Sequence, residues 1–237
     1  MAQTRVEVLL TLRRAESVLL TFVIPVVVLA FFSKVKALPV EDGVDRIDFV
    51  VPGVLALAVM STAMVSLAIA TGFERQTGVL KRLGSTPLTR RDLLAAKTLA
   101  IGAVEALQLV VLVLEGLLLG WRPDSPSPFL ALAAILLGTV AFAGVGMLLA
   151  GTLPALTTLA AANGIYVVLL LMGGMIVPLA DLPTPMRVVA RGLPAGALSD
   201  AMHGSLTTGT VPGGAWIVLV VWAVLAPLAA ARWFRWE

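Results

Sequence analysis

Long apolar runs separated by short polar stretches divide this chain into segments of membrane-spanning length. The six runs cover residues 17–33, 49–72, 98–121, 129–151, 156–177 and 213–231. About 20 mainly apolar residues cross the hydrocarbon core of a bilayer as a helix, which satisfies its own backbone hydrogen bonds. The pattern therefore predicts an all-α integral membrane protein with six transmembrane helices, forming one domain over residues 1–237.

The longest polar interruption separates the second and third runs, and residues 74–92 are called the basic segment below. Six of the seventeen Lys and Arg residues lie between Phe73 and Lys97. Because Lys and Arg are enriched in cytoplasmic loops, this segment is predicted to face the cytoplasm. On that assignment eleven Lys and Arg residues lie inside and six outside, so both termini are also predicted to be cytoplasmic.

The basic segment carries the signals of a short helix followed by a new one. Gly84 is suited to end a helix, and Pro87 resists its continuation. Thr89 is suited to cap the next helix, whose first turn contains Asp92. We therefore predict a short helix lying across the membrane face before the third span begins.

Two other segments have intermediate polarity. Residues 2–16 combine three arginines with apolar residues at helical spacing, which indicates either an interfacial helix or a cationic flank of the first span. Between residues 178 and 212 we predict two short re-entrant helices on the outer side. Thr184 would cap the first, which ends near Gly192, and the second would cover Pro194 to Gly204. The aromatic and basic residues 232–237 are expected to anchor the last span at the inner border.

Composition narrows the possible chemistry. Only 13% of the 237 residues are charged, against about 25% in soluble domains. Cysteine is absent and histidine occurs once, which excludes disulfides, cysteine-ligated metals and the His-Glu-x-x-His motif. We expect no metal site and no cofactor on this chain. Nucleic-acid binding is not expected, because the basic residues lie at membrane borders without interleaved aromatics.

The basic segment also resembles that of a known family. The run Glu74-Arg75-x-x-Gly78-x-Leu80-Lys81-Arg82-Leu83-x-x-Thr86-Pro87-Leu88 is similar to the cytoplasmic coupling segment of ABC-2 type transporter permeases. Gln76 departs from the Glu-Arg-Glu that this family usually has there. The stretch Asp48-Phe49-Val50-Val51-Pro52-Gly53 resembles the start of the family's second span. The stretch Val177-Pro178-Leu179-x-x-Leu182-Pro183 resembles its re-entrant outer element.

The resemblance implies a membrane subunit of an ABC exporter in the plasma or inner membrane. Such subunits pair as homodimers or heterodimers and bind two copies of a separate ATPase, which holds ATP and magnesium. This chain lacks the Gly-x-x-x-x-Gly-Lys-Ser/Thr motif, so hydrolysis is expected in the partner and the chain itself is not expected to be an enzyme. Multidrug efflux with antibiotic resistance is the first expectation, for a hydrophobic drug, antibiotic or lipid. The alternatives are glycan or lipid-polymer export, a noncatalytic anchor or regulatory subunit, and an intramembrane enzyme.

The resemblance also assigns residues to the contact with the ATPase. Leu80 and Leu83 are expected to enter a groove on the partner, and Lys81 and Arg82 to pair with its acidic rim. Glu74 is expected to pair with a neighbour of Arg75 or with a basic residue of the interfacial helix, which would tie the segment to the bundle. The alternative is a loop that only fixes the membrane topology, although such a loop would not require the observed spacing of Gly78, Thr86 and Pro87. The assigned residues are Glu74, Arg75, Gly78, Leu80, Lys81, Arg82, Leu83, Thr86 and Pro87.

Two carboxylates, Glu105 and Glu115, lie inside the third run, where ionisable residues are costly. Ten residues separate them, which is about 15 Å along a helix and about 80° around it, so they do not form a paired acid site. Each either lines a cargo path, makes a structural hydrogen bond or lies at an interfacial position, and Glu105 is near enough to the inner border to pair with a basic residue there. His203 follows Ser199 and Asp200 too closely on one short helix to predict a catalytic triad, and Ser199 or Asp200 serves equally well as a helix cap.

Overall fold

The computed structural model describes residues 15–34, 45–84, 89–123 and 126–235, and every regular element within these ranges is helical. The all-α prediction is therefore confirmed for this part of the chain. The long helix α2 is continuous from Arg46 to Gln76 and contains one π-helical turn, Ser61–Ser66. The helices are α1 Ala15–Lys34, α2 Arg46–Gln76, α3 Val79–Gly84, α4 Arg90–Leu118, α5 Pro128–Thr152, α6 Ala155–Met172, α7 Thr184–Gly192, α8 Pro194–His203 and α9 Gly213–Trp233.

Among the described residues, five helices are long and apolar enough to cross a membrane, namely α2, α4, α5, α6 and α9. Phe22–Lys34, the part of α1 whose side chains the structure describes, is apolar but shorter. The predicted interfacial helix over residues 2–16 lies outside the described ranges up to residue 14. Its last two residues open α1 instead.

Helix α2 forms the centre of the bundle, because every residue from Val50 to Met60 is buried. Helices α5 and α9 approach each other closely at the backbone. A Cβ atom on Gly144 of α5 would lie 2.5 Å from the backbone nitrogen of Pro227 in α9. The absence of a side chain on Gly144 therefore permits the close packing that small residues allow between helices in membranes.

Long-range contacts define two ends of the bundle. The basic end holds α3, the turn after α5 and the chain just after α9, where the Arg235 amide donates to the Gly151 carbonyl at 3.1 Å. The opposite end holds α8 and the start of α5, where the Ser127 amide donates to the Ser205 carbonyl at 2.7 Å. Helices α2 and α9 therefore run towards the basic end, and α4 runs away from it.

One predicted boundary was wrong near the basic end, since α2 continues past Gly72 to Gln76. Helix α4 begins at Arg90, ahead of the apolar run that starts at Thr98, as the predicted cap at Thr89 requires. The polar residues of these extensions are accommodated because Lys97 pairs with Glu74 across the two helices. The predicted cap of α4 is confirmed, since the Thr89 side chain accepts from the Asp92 amide and the Asp92 side chain accepts from the Thr89 amide.

The region between α6 and α9 contains the two predicted short helices, but three details of the prediction were wrong. Helix α6 ends at Met172, five residues before the predicted end of the fifth run. Helix α7 begins at Thr184, and Pro183 occupies the capping position without a side-chain hydrogen bond, so the Thr184 cap was wrong. Helix α8 covers Pro194–His203, and eight of its ten residues are buried among α2, α5 and α9. Ser199 and Asp200 lie within α8, so neither caps it.

Candidate functional site

A tight turn places α3 directly after α2. Gly78 in this turn has φ +74°, a backbone conformation that glycine adopts without steric cost. The Thr77 hydroxyl donates to the Phe73 carbonyl at 3.1 Å and supports the end of α2. As far as Gly84, the basic segment is therefore a helix end, a turn and a short helix.

Leu80 fixes α3 to the rest of the bundle. Its side chain is 0% exposed and belongs to an apolar cluster at the basic end, which also includes Phe234. This corrects the expectation that Leu80 enters a groove on a partner, because the side chain is already enclosed by its own chain. We call this group the basic-end cluster. Its members are Leu67, Leu80, Leu93, Leu94, Ile101, Ala143, Met147, Ala230 and Phe234.

Glu74 and Lys97 form an ion pair between α2 and α4. The Lys97 Nζ and the Glu74 Oε2 are 2.6 Å apart, and the side chains are 3% and 13% exposed. Glu74 therefore does tie the segment to the bundle through a basic residue. That residue, Lys97, lies on α4.

Arg75 connects the basic segment to a third element. Its guanidinium donates to the Leu153 carbonyl in the turn between α5 and α6. Because the last carbonyls of a helix lack partners within the helix, a guanidinium at this place satisfies an acceptor. Leu80, Glu74 and Arg75 thus attach the basic segment to α4, α5, α9 and the turn after α5.

The remaining predicted coupling residues divide into two groups. Lys81 and Arg82 are exposed on α3, and Val79 beside them is 43% exposed. Leu83 lies on α3, but its side chain falls outside the described part, and Thr86 and Pro87 lie outside the described residues. Among the described side chains, α3 therefore exposes the two basic residues Lys81 and Arg82 and the apolar residue Val79.

The two carboxylates of the third span occupy different environments. Glu105 is 1% exposed, and its Oε1 lies 2.6 Å from the Thr139 hydroxyl of α5, so its contact is not a basic residue at the border. Glu115 is partly exposed near the opposite end. Both lie on the continuous helix α4, which keeps them apart as expected.

His203 joins α8 to α2 at the opposite end. Its Nε2 lies 3.0 Å from the Phe49 carbonyl, and its Nδ1 lies 2.8 Å from the Ser199 carbonyl. Burial lowers the pKa of His203. Ser199 is 1% exposed and offers no accessible nucleophile, so these residues act in packing.

The burial of Phe234 also differs from expectation. Trp233 is 58% exposed, as an interfacial anchor requires, but Phe234 is 0% exposed and packs in the basic-end cluster. Sequence reasoning missed this role, as it missed the Gln108 and Thr62 side chains, which hydrogen bond at 2.7 Å between α4 and α2. The sequence did contain a signal for the Gln108 contact, because Gln108 follows Glu105 by three residues and so lies on the same side of the helix.

The sequence model of a family described as ABC-2 type transporter matches residues 1–206 of this chain. A protein of Bacillus subtilis (strain 168) named "Putative transport permease YvfS" is 25% identical over 193 residues. The match covers 81% of this chain and 79% of that protein.

Proposed function

Because the chain belongs to the ABC-2 type transporter family, we propose that it is the membrane-spanning permease subunit of an ATP-driven exporter. A separate ABC ATPase would bind the basic segment and supply the energy. The observation that carries this proposal is the attachment of an exposed basic helix, α3, to the interior of the bundle through Leu80, Glu74 and Arg75.

The attachment supports transmission of force. A force that a partner exerts on α3 would act on the bundle through the Leu80 side chain, which packs among α2, α4, α5 and α9. A loop without such packing would deform instead. Interiors packed at crystal-like density transmit displacement because they are hardly compressible. The Glu74–Lys97 pair and the Arg75 contact would keep α3 in register during that push.

The wider arrangement is part of the proposal. We infer six spans, with α1 as the first and both termini in the cytoplasm, since α9 ends at the basic end. Two such subunits, identical or related, would pair and bind two ATPases. The cargo would be a hydrophobic drug, antibiotic or lipid moved outward. Glycan export and a noncatalytic anchor or regulatory role are the competing functions.

We expect Arg82→Glu to weaken the contact with the ATPase while insertion into the membrane persists. Like charges facing each other at an interface cost several kcal/mol, so co-purification of the ATPase should fall roughly tenfold or more. Arg122→Glu is the matched control, because Arg122 is an exposed arginine beyond the other end of α4. Equal co-purification for both variants would argue against docking at α3. Normal docking in the wild type without any movement of cargo would favour the anchor role.

Glu115→Gln is expected to change which cargo is exported without changing assembly. A charge-assisted hydrogen bond contributes about 1.5 to 3 kcal/mol, so export of a cationic cargo should fall about tenfold relative to a neutral analogue. Glu115→Asp keeps the charge and serves as the control. An unchanged ratio of cationic to neutral export in Glu115→Gln would place this carboxylate outside the cargo path.

A further inference from the structure

A row of polar side chains lies on the buried face of α4. Lys97, Glu105 and Gln108 are 3%, 1% and 1% exposed, respectively. Each contacts another helix, through Glu74 of α2, Thr139 of α5 and Thr62 of α2. Glu105 differs from the other two, because its Oε2 is buried without a hydrogen-bond partner.

The contacts of the Thr139 hydroxyl indicate whether the Glu105 carboxyl carries a proton. The Thr139 hydroxyl oxygen lies 2.6 Å from Glu105 Oε1 and 2.8 Å from the Ile135 carbonyl. A hydroxyl has one proton to donate, and Thr in a helix commonly gives it to the carbonyl four residues earlier. With that proton directed to Ile135, the 2.6 Å contact is favourable only if the Glu105 carboxyl donates to the Thr139 oxygen.

The alternative is an ionised Glu105 that accepts the single Thr139 proton. That carboxylate would have one hydrogen bond for two oxygens, since Oε2 has none. A buried charge requires pairing and further hydrogen bonds to offset its desolvation. A neutral carboxyl leaves only an uncharged carbonyl oxygen without a partner, which is far less costly.

No cation faces Glu105 at its level from the described helices packed around α4. On α4 itself, Lys97 is eight residues and about 12 Å away, and it pairs with Glu74. Helix α5 contains no ionisable residue, and α2 contains none between Phe49 and Phe73. The other ionisable residues of these helices occupy sequence positions near the helix ends: Glu16 and Lys34 of α1, Arg46, Asp48, Glu74 and Arg75 of α2, Arg90, Arg91, Asp92 and Glu115 of α4, and Arg232 of α9.

We propose that Glu105 is a proton-binding site in the membrane domain. In the packing observed here, the carboxyl carries a proton and donates it to Thr139, and this contact joins α4 to α5. When the two helices separate and water enters, the proton passes to water and leaves a carboxylate. The proton is the ligand of this site, so the distance between α4 and α5 depends on pH through the protonation of Glu105.

Infrared spectroscopy of the full chain in nanodiscs at neutral pH tests this assignment. The carbonyl stretch of a protonated carboxylic acid is separate from the bands of ionised carboxylates. We expect such a band in the wild type, and a loss of one carboxyl group's intensity in Glu105→Gln. Asp181→Asn, at an exposed carboxylate, should leave the band unchanged. Absence of the band in the wild type overturns the proposal without reference to any variant.

A second variant tests the hydrogen bond itself. Thr139→Val removes the acceptor and should shift the remaining Glu105 band to higher frequency, because a carboxyl that loses its acceptor has a stiffer carbonyl bond. A band that stays at its wild-type frequency in Thr139→Val assigns the proton to another carboxyl and overturns the proposal. Neither measurement uses an ATPase or a cargo, so the outcome is independent of the proposed export function.

Discussion

Lys97→Met is expected to destabilise the basic end by about 3 to 5 kcal/mol, which is the cost of removing one partner from a buried ion pair. The Glu74 carboxylate would lose the cation 2.6 Å away, in a position where its side chain is only 13% exposed. The free energy of unfolding, followed by titration with a denaturing detergent from mixed micelles, measures the loss. The same variant should also weaken ATPase docking, since Glu74 holds the end of α2 before α3.

The double variant Glu74→Gln, Lys97→Met separates the missing partner from a general loss of packing. Replacing both members of a buried pair by uncharged residues of similar volume is often neutral. We therefore expect the double variant to recover more than half of the stability that the single variant loses. A single variant as stable as the wild type would contradict the structural role of the pair, and equal losses in both variants would assign the effect to volume instead.

Gly144→Ala is expected to cost about 1 to 3 kcal/mol, the usual penalty for overpacking a well-filled interior. The new Cβ would lie 2.5 Å from the Pro227 nitrogen and 2.7 Å from the Ala226 carbonyl carbon, so backbone atoms of α9 must move. A flexible side chain could rotate away, but a helix backbone cannot. The same detergent titration measures this change, and α5 and α9 should separate more readily.

Gly164→Ala provides the matched control for that experiment. A Cβ at Gly164 of α6 would have no atom within 4 Å, so the substitution adds a methyl group without a collision. Alanine is the better helix former in soluble hosts, and the variant should be as stable as the wild type or slightly more so. Similar losses at both positions would show that glycine acts through backbone flexibility rather than through close packing.

The two stability predictions also distinguish parts of the proposed mechanism. Gly144 packs α5 against α9, whereas Lys97 belongs to the attachment of the basic segment. A Lys97 variant that loses ATPase contact at a temperature where the bundle remains folded would support a positioning role. A Gly144 variant should lose contact only as the bundle unfolds.

The sequence by itself determined the all-α class, the polar segment between the second and third runs, and the cap at Thr89. These features depend on local chemistry, because apolar length, helix capping and turn residues act over a few neighbouring positions. The two short helices after α6 were predicted for the same reason. The exact ends were not all predicted, as the extension of α2 to Gln76 shows.

Only the tertiary structure decided which side chains meet. Glu74 and Lys97 are 23 positions apart, and Glu105 and Thr139 are 34 apart, so no local pattern joins them. Leu80 and Phe234 were assigned to surfaces from sequence, yet both pack inside. Lipid and protein interior are equally apolar, so hydrophobicity cannot tell a lipid-facing residue from an enclosed one. The helix packing makes that distinction.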